Sequence, residues 1–388
     1  MRYQPRLDAV RGICIAAVFL NHASFLKCGW VGVQVFFVLS GYLITDILVR
    51  AKDSDIGVSR YFLNFYVRRV LRIFPVYFAY LAVVFLADYL IDSPWIANTE
   101  PHSAQNAPYL LTYTYNLYRT TSYTSEHSMY FAHLWSLSVE EQFYLLWPLV
   151  VFISSRRALL LVCLVLIAAG PLIRLLELWW RWNPGQYARI LIGRFVYFFT
   201  PSHADAFAFG ALLNFVRDSK AIERYFEQVK QFVRPGVPLV GLWMLLLSFV
   251  AGYNVSTSTL GWPTYLPYFF AFIWGYTLLN AWALVAIDDW RHKSLIADNR
   301  FLQRLGRVSY GFYIFHFPVI WLVRLAAGVP STPWTWQNVW ESSVAFLITW
   351  AIAEASFRYL ESPFLRLKSR FKHIEPAANR AGQVAAVI

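Results

Sequence analysis

Two ionisable residues stand eleven positions apart in the first long apolar stretch of the sequence, Arg11 and His22. In a helix this separation is about 16 Å of rise, half the thickness of a bilayer core. Ionisable side chains are costly in an apolar environment, so they are candidates for function. The imidazole of His22 would be a suitable general base near neutral pH. The alternative is a buried packing residue, which is the commoner role of a lone histidine.

A second chemical pair, Glu140 and Glu141, lies in the apolar stretch that begins at His133. Adjacent helical residues diverge by about 100°, so at most one of the two carboxylates easily faces a cavity shared with His22. With His133 at the membrane boundary, Glu140 would lie about 10 Å deep. There it could orient the imidazole, as the third member of a nucleophile-base-orienter set does.

Other buried ionisable residues leave alternatives open. Glu140 could instead form an intramembrane ion pair with Arg174 or Arg194. Asp205 could bind hydroxyl groups of a polar acceptor, or it could make a hydrogen bond between helices. His316 is interpreted as a structural residue.

A basic cluster lies on the predicted helix from Arg60 to Pro75. Arg68 and Arg72 share one helix face, and Arg69 points about 100° away from them. This spacing suits an anionic ligand at the membrane surface, and it equally suits contact with lipid headgroups.

The amino-acid composition indicates the class of protein that positions these groups. Hydrophobic residues make up 58% of the 388 residues and charged residues 14%, whereas soluble domains average about 25% charged residues. An ordinary cytosolic enzyme is therefore excluded. The three cysteines show no CxxC or Cys/His spacing, so no metal site is predicted. Phosphate-loop, HExxH and GxSxG signatures are also absent from the sequence.

The sequence predicts an all-α, polytopic membrane protein, because ten apolar stretches are long enough to cross a bilayer. If the N-terminus is cytoplasmic, 27 of the 34 Lys and Arg residues lie on the inner side, and the positive-inside rule then predicts N-in and C-in. The net charge of +12 is thus explained by topology, and nucleic acid is not an expected partner. The predicted spans are Val10–Leu26, Gly29–Val49, Arg72–Ile91, His133–Ile153, Ala158–Leu176, Phe195–Val216, Val237–Gly252, Thr264–Ile287, Val308–Ala327 and Val339–Leu360. We expect residues 1–370 to form one membrane domain and residues 371–388 a cytoplasmic tail.

Five ordered segments resemble the integral membrane acyltransferases called acyltransferase family three. The resemblance covers about residues 3 to 370 and includes the ending from Tyr359 to Phe364. The five segments are Arg6 to His22, Gly32 to Ile44, Arg68 to Tyr77, His133 to Pro148 and Leu305 to His316.

The resemblance implies transfer of an acyl group, usually acetyl, from a cytoplasmic coenzyme A thioester to a hydroxyl of a carbohydrate. It implies catalysis by His22 and donor binding by four arginines, and the family's glutamate corresponds to Glu140 first and Glu141 second. Acetyl-CoA is then the expected co-substrate, with no metal. The donor-binding arginines implied are Arg11, Arg68, Arg69 and Arg72.

The acceptor site is predicted from fewer features. We assign Gln34, His133, Trp135 and Asp205 to it. Two positions depart from the family pattern: many members have Asp where this chain has Gln34, and Arg where it has His203.

A surface polysaccharide such as O-antigen or exopolysaccharide, or its lipid-linked repeat, is the expected acceptor in a bacterial inner membrane. The polar, Tyr-rich loop from Asp92 to Ala132 suits sugar stacking. The competing class is a transporter or flippase for a lipid-linked sugar with a proton relay.

Overall fold

The computed structural model describes residues 4–26, 28–90, 103–121, 128–180, 196–216, 219–251, 270–292, 296–328 and 335–371. Within these ranges the regular structure is helical and no strand is present. The expected all-α class is therefore confirmed.

The longer helices follow the apolar stretches of the sequence. Shorter 3₁₀ or π segments flank some of them, among them Ala132–Leu134, Thr200–His203, Ser356–Glu361 and Lys368–Phe371. The α-helices are α1 Pro5–His22, α2 Val31–Asp53, α3 Val58–Leu90, α4 Ser103–Leu111, α5 Tyr115–Thr121, α6 Trp135–Ile153, α7 Arg156–Trp180, α8 Ala204–Val216, α9 Lys220–Ala251, α10 Tyr276–His292, α11 Arg300–Arg307, α12 Ser309–Ala327, α13 Trp336–Ala355 and α14 Ser362–Leu367.

Five helical segments of the described chain are long and apolar enough to cross a membrane. They match the predicted second, third, fourth, fifth and ninth spans, so a multi-pass membrane protein is supported. Four predicted spans, Arg72–Ile91, Phe195–Val216, Val237–Gly252 and Thr264–Ile287, lie partly outside the described residues. The five segments are Val31–Asp53, Val58–Leu90, Ala132–Ile153, Arg156–Glu177 and Ser309–Ala327.

The first helix ends earlier than the apolar stretch predicts. Apolar residues continue to Leu26, but α1 stops at His22, and Ser24 has a φ of 70° in the left-handed region. The amide groups of Phe25 and Leu26 both bond back to the carbonyl of Leu20, which closes the helix in the manner of a left-handed C-cap. His22 is therefore the last residue of a helix, where its side chain can reach neighbouring helices.

Two glycines allow α2 and α8 to approach each other closely. Gly41 of α2 lies against the carbonyl of Phe207 in α8, and Gly210 of α8 lies against the carbonyl of Val38; a Cβ on either glycine would overlap backbone. Small residues at such crossings let helices pack backbone to backbone. The α2–α8 crossing thus fixes the position of the polar residues on the first turns of α2.

Candidate active site

His22 contacts another histidine and not a carboxylate. Its Nδ1 lies 2.8 Å from Nε2 of His316, and the two rings stack with centroids 5.0 Å apart. The sequence predicts a structural role for His316, and the structure brings this residue into the candidate site. His316 is fully buried in α12.

The hydrogen bonds of this pair determine which nitrogens carry protons. His316 Nδ1 lies 2.6 Å from the carbonyl oxygen of Tyr313. A carbonyl can only accept, so this nitrogen donates, and Nε2 of the neutral ring is left as an acceptor. His22 must then donate through Nδ1, and its Nε2 keeps a lone pair. The chain from Tyr313 through His316 thus leaves His22 as a proton acceptor at Nε2.

His133 completes this group, which we call the histidine cluster: His22, His133 and His316. His133 Nε2 donates to the carbonyl oxygen of Ile314 at 3.0 Å, and its buried Nδ1 has no hydrogen-bond partner. The His133 and His316 ring centroids are 5.4 Å apart. Within the described ranges, no three His, Cys, Asp or Glu side chains are arranged to hold a metal ion.

A cavity of about 120 Å³ adjoins the histidine cluster. Ser136 and Tyr313 form the wall between them: both line the cavity, and their hydroxyl oxygens are 2.6 Å apart. Tyr313 also donates to the carbonyl of His133 at 2.7 Å. The cavity therefore reaches to within one layer of side chains of the cluster. Its polar lining consists of Arg11, Ser40, Arg69, Arg72, Ser136, Glu140, Glu141, Tyr144, Ser309, Tyr310 and Tyr313.

The two glutamates belong to this cavity, and the expected contact between Glu140 and His22 is not formed. Glu140 accepts a hydrogen bond from Ser40 at 2.8 Å, and Glu141 lines the same space. The reason is that His133 lies at the same depth in the bundle as His22. Glu140 follows His133 by seven residues, so it lies about 10 Å further along the axis of α6 and away from His22. Both carboxylates line this cavity, and His22 does not.

Arg69 and Arg72 line the cavity, and Arg69 is held between the rings of Phe65 and Tyr144. Its Nε is buried without a hydrogen-bond partner. Arg11 differs because it pairs with the buried carboxylate of Asp8. Among the described residues, Arg69 and Arg72 form no direct salt bridge, although Glu140 and Glu141 line the same cavity. Their guanidinium groups are therefore available to an anionic ligand.

Arg68 lies outside the cavity lining. The sequence placed it on the same face as Arg72, whereas in the structure its Nη1 donates to the carbonyl oxygen of Phe371 at 3.4 Å. The difference arises because the segment after the last long helix folds back against α3, which no local pattern in the sequence predicts.

Two of the predicted acceptor residues gather around His203. Gln34 Nε2 donates to His203 Nδ1 at 2.9 Å, while His203 Nε2 donates to the carbonyl of Tyr197. Trp135 packs against Tyr197 with ring centroids 4.5 Å apart. The two positions that depart from the family pattern, 34 and 203, are thus in direct contact, and both side chains are buried.

Asp205 is enclosed by protein groups. It receives two hydrogen bonds from Arg174, at 3.2 and 2.9 Å, and both side chains are fully buried. Thr277 and Asn280 of α10 donate to its remaining lone pairs at 2.7 and 3.1 Å. These contacts favour the helix-to-helix interpretation of Asp205 over acceptor binding. Because Arg174 pairs with Asp205, it does not form the alternative ion pair with Glu140. The other predicted partner of Glu140, Arg194, lies outside the described residues.

We expect Asp205→Ala to destabilise the protein by about 3–5 kcal/mol, because it leaves the Arg174 guanidinium buried and unpaired. Asp53→Ala is the matched control, since it breaks an exposed pair with Arg156 and should cost at most about 1 kcal/mol. Thermal unfolding of both variants in detergent measures the difference. Normal stability of Asp205→Ala with weakened acceptor binding would instead restore Asp205 to the acceptor site.

The helical bundle places a cavity lined by basic and acidic side chains beside a cluster of three buried or partly buried histidines. The chain belongs to the acyltransferase family: a family model described as an acyltransferase domain matches residues 4–354. The resemblance given by the five sequence segments is therefore confirmed.

Curated relatives from three bacteria resemble the chain over nearly its whole length. Peptidoglycan O-acetyltransferase OatA of Listeria monocytogenes is 27% identical over 376 residues, covering 93% of this chain and 56% of the relative. A putative O-acetyltransferase of Staphylococcus aureus is 27% identical over 378 residues, covering 94% and 58%. The putative peptidoglycan O-acetyltransferase YrhL of Bacillus subtilis is also 27% identical, covering 93% and 55%. The chain thus spans a little over half the length of these relatives. No solved structure matches it.

Proposed function

We propose that the protein transfers an acetyl group from acetyl-CoA to a hydroxyl of a bacterial envelope glycan, with His22 as the general base. The observation that carries the proposal is the hydrogen-bond chain from the Tyr313 carbonyl through His316 to His22. It leaves Nε2 of His22 ready to accept a proton, as a base held by an orienting partner does.

The donor is assigned to the cavity next to the histidine cluster. Arg69 and Arg72 line it without a paired acid among the described residues, and guanidinium groups bind phosphate through charge-assisted hydrogen bonds. The phosphates of the coenzyme would lie at this basic end. Its pantetheine arm would extend toward Ser136 and Tyr313, so the thioester would approach the wall that adjoins the cluster.

The reaction follows from this arrangement. His22 Nε2 takes the proton of the acceptor hydroxyl as the oxygen attacks the thioester carbonyl. A C–O bond forms, the C–S bond breaks, and the coenzyme leaves as a thiolate that is then protonated. The alternative is transfer in two steps: His22 Nε2 attacks the thioester and the thiolate leaves, and the acceptor oxygen then attacks the acyl-histidine and releases the imidazole as it loses its proton. Glu140 and Glu141 belong to the donor side in this scheme, where they offset the arginine charges in the empty cavity.

The acceptor is assigned to the opposite side of the membrane from the donor. We retain ten spans with both termini in the cytoplasm of a bacterial inner membrane, which places the basic residues inside. The acceptor class is an envelope polysaccharide: peptidoglycan is the glycan named for two relatives, and O-antigen or exopolysaccharide carries the same kind of hydroxyl. Gln34 and Trp135 are proposed to contact it.

Cells that express the chain should carry base-labile acetate on a purified envelope glycan, above the level of cells with an empty vector. The same membranes, supplied with acetyl-labelled acetyl-CoA, should release coenzyme A and label that glycan. Separate analysis of peptidoglycan and of extracted polysaccharide identifies the acceptor. Movement of a lipid-linked sugar without coenzyme A release would contradict the proposal and establish the transporter class.

A further inference from the structure

We infer that Lys368 is a further cation of the donor site and binds a phosphate group of the acyl-coenzyme A. The inference rests on the proposed function, and it extends the site to a segment outside the first four motifs. Lys368 begins the short 3₁₀ turn Lys368–Phe371 that follows α14.

The position of this turn is fixed by contacts with α3. The turn packs against α3, and Arg68 donates to the carbonyl oxygen of its last residue, Phe371. Lys368 thereby comes within electrostatic range of the three arginines that line the cavity, Arg11, Arg69 and Arg72. A residue nearly 300 positions from the predicted cluster is thus placed beside it.

The charges around Lys368 indicate an anionic ligand. The groups that act most strongly on it are four arginines, all of its own sign, and no described residue forms an ion pair with it. Like charges held together repel one another, so the empty site disfavours the protonated form of Lys368. A phosphate placed among them would remove the repulsion and accept charge-assisted hydrogen bonds.

The protonation of Lys368 should report this ligand. Burial first, and then the neighbouring arginines, lower its pKa to about 6. At pH 7.5 the empty site therefore holds mostly neutral lysine, and a bound phosphate would raise the pKa and draw in a proton. Affinity for the coenzyme should be highest below pH 6 and fall as the pH rises above it.

The other titratable groups near the site are the same in the wild-type chain and in a Lys368 variant. The arginines facing Lys368 are Arg11 on α1 and three residues of α3. The carboxylates nearby are Glu140 and Glu141 in the cavity and Glu361, which acts on Arg72. Because none of these changes in a Lys368 variant, the difference between the two pH profiles belongs to Lys368.

The test measures binding of coenzyme A to the full chain in nanodiscs by titration calorimetry, in two buffers of different ionisation enthalpy. Lys368→Met should bind about tenfold more weakly and take up fewer protons. Lys368→Arg should bind as tightly as wild type without the proton uptake, because arginine stays charged. Arg370→Met is the matched control: it removes an exposed cation from the same turn and should leave binding unchanged.

Each contrary result has a distinct meaning. Unchanged affinity in Lys368→Met, or an equal loss in Arg370→Met, would overturn the inference. A loss seen in nanodiscs with anionic lipid and absent from those with neutral lipid alone would assign Lys368 to a lipid headgroup and overturn it as well. Failure of the wild-type chain to bind coenzyme A would refute the proposed donor itself.

Discussion

His22→Ala should reduce acetyl transfer by about 10²- to 10⁴-fold, the contribution of a positioned general base. The imidazole stands at the end of α1 with its Nε2 free to accept a proton, and no other side chain of α1 can replace it there. The measurement is base-labile acetate on the envelope glycan, normalised to the amount of protein in the membrane.

His292→Ala provides the matched control for this experiment. His292 ends α10, its side chain is 63% exposed, and its ring bonds to the carbonyl of Asp288 in the same helix. The control should retain wild-type acetate. Equal acetate in His22→Ala and wild type, both above the empty vector, would remove His22 from the chemistry.

His316→Phe should also lower the rate by about 10²-fold or more, because His22 would lose the acceptor that sets its tautomer. We expect the loss in kcat, with KM for acetyl-CoA little changed, since His316 lies behind the cavity wall. The pH dependence of kcat should shift in the same variant, because the basicity of His22 depends on its partner.

His316→Gln distinguishes orientation from packing. A glutamine Oε1 at this position can accept from His22 Nδ1, so this variant should recover part of the rate that Phe loses. Equal activity of the Phe and Gln variants, with an unchanged pH profile, would show that His316 serves packing alone.

The fold could be predicted from the sequence where long apolar stretches determine it. The spans at Gly29–Val49 and Val308–Ala327 correspond to α2 and α12 within a few residues. Helix ends are harder to predict, because the hydropathy of a residue does not indicate its backbone conformation. The left-handed Ser24 ends α1 four residues before its apolar stretch does, and α3 continues without a break from the basic cluster into the predicted span.

The site could be predicted as a set of residues more readily than as a set of contacts. His22 can be recognised because an ionisable residue in an apolar stretch is unusual, and Arg69 and Arg72 because they belong to a basic cluster. His316 is also an ionisable residue in an apolar stretch, but the sequence does not indicate its contact with His22, which is 294 positions away. Lys368 had no signal beyond a basic cytoplasmic segment. Contacts between an imidazole and a carboxylate on different helices depend on how far those helices are shifted along their axes relative to each other. Sequence spacing gives no measure of this shift.

The buried bond between Gln34 and His203 constrains how this protein could have diverged. The resemblance implies an acidic and a basic residue at these positions in many family members, and here both are replaced by neutral side chains. Converting either one alone would bury a charge without its partner, at a cost of about 3–5 kcal/mol. Evolution between the two forms therefore requires both codons to change nearly together, or a compensating substitution nearby.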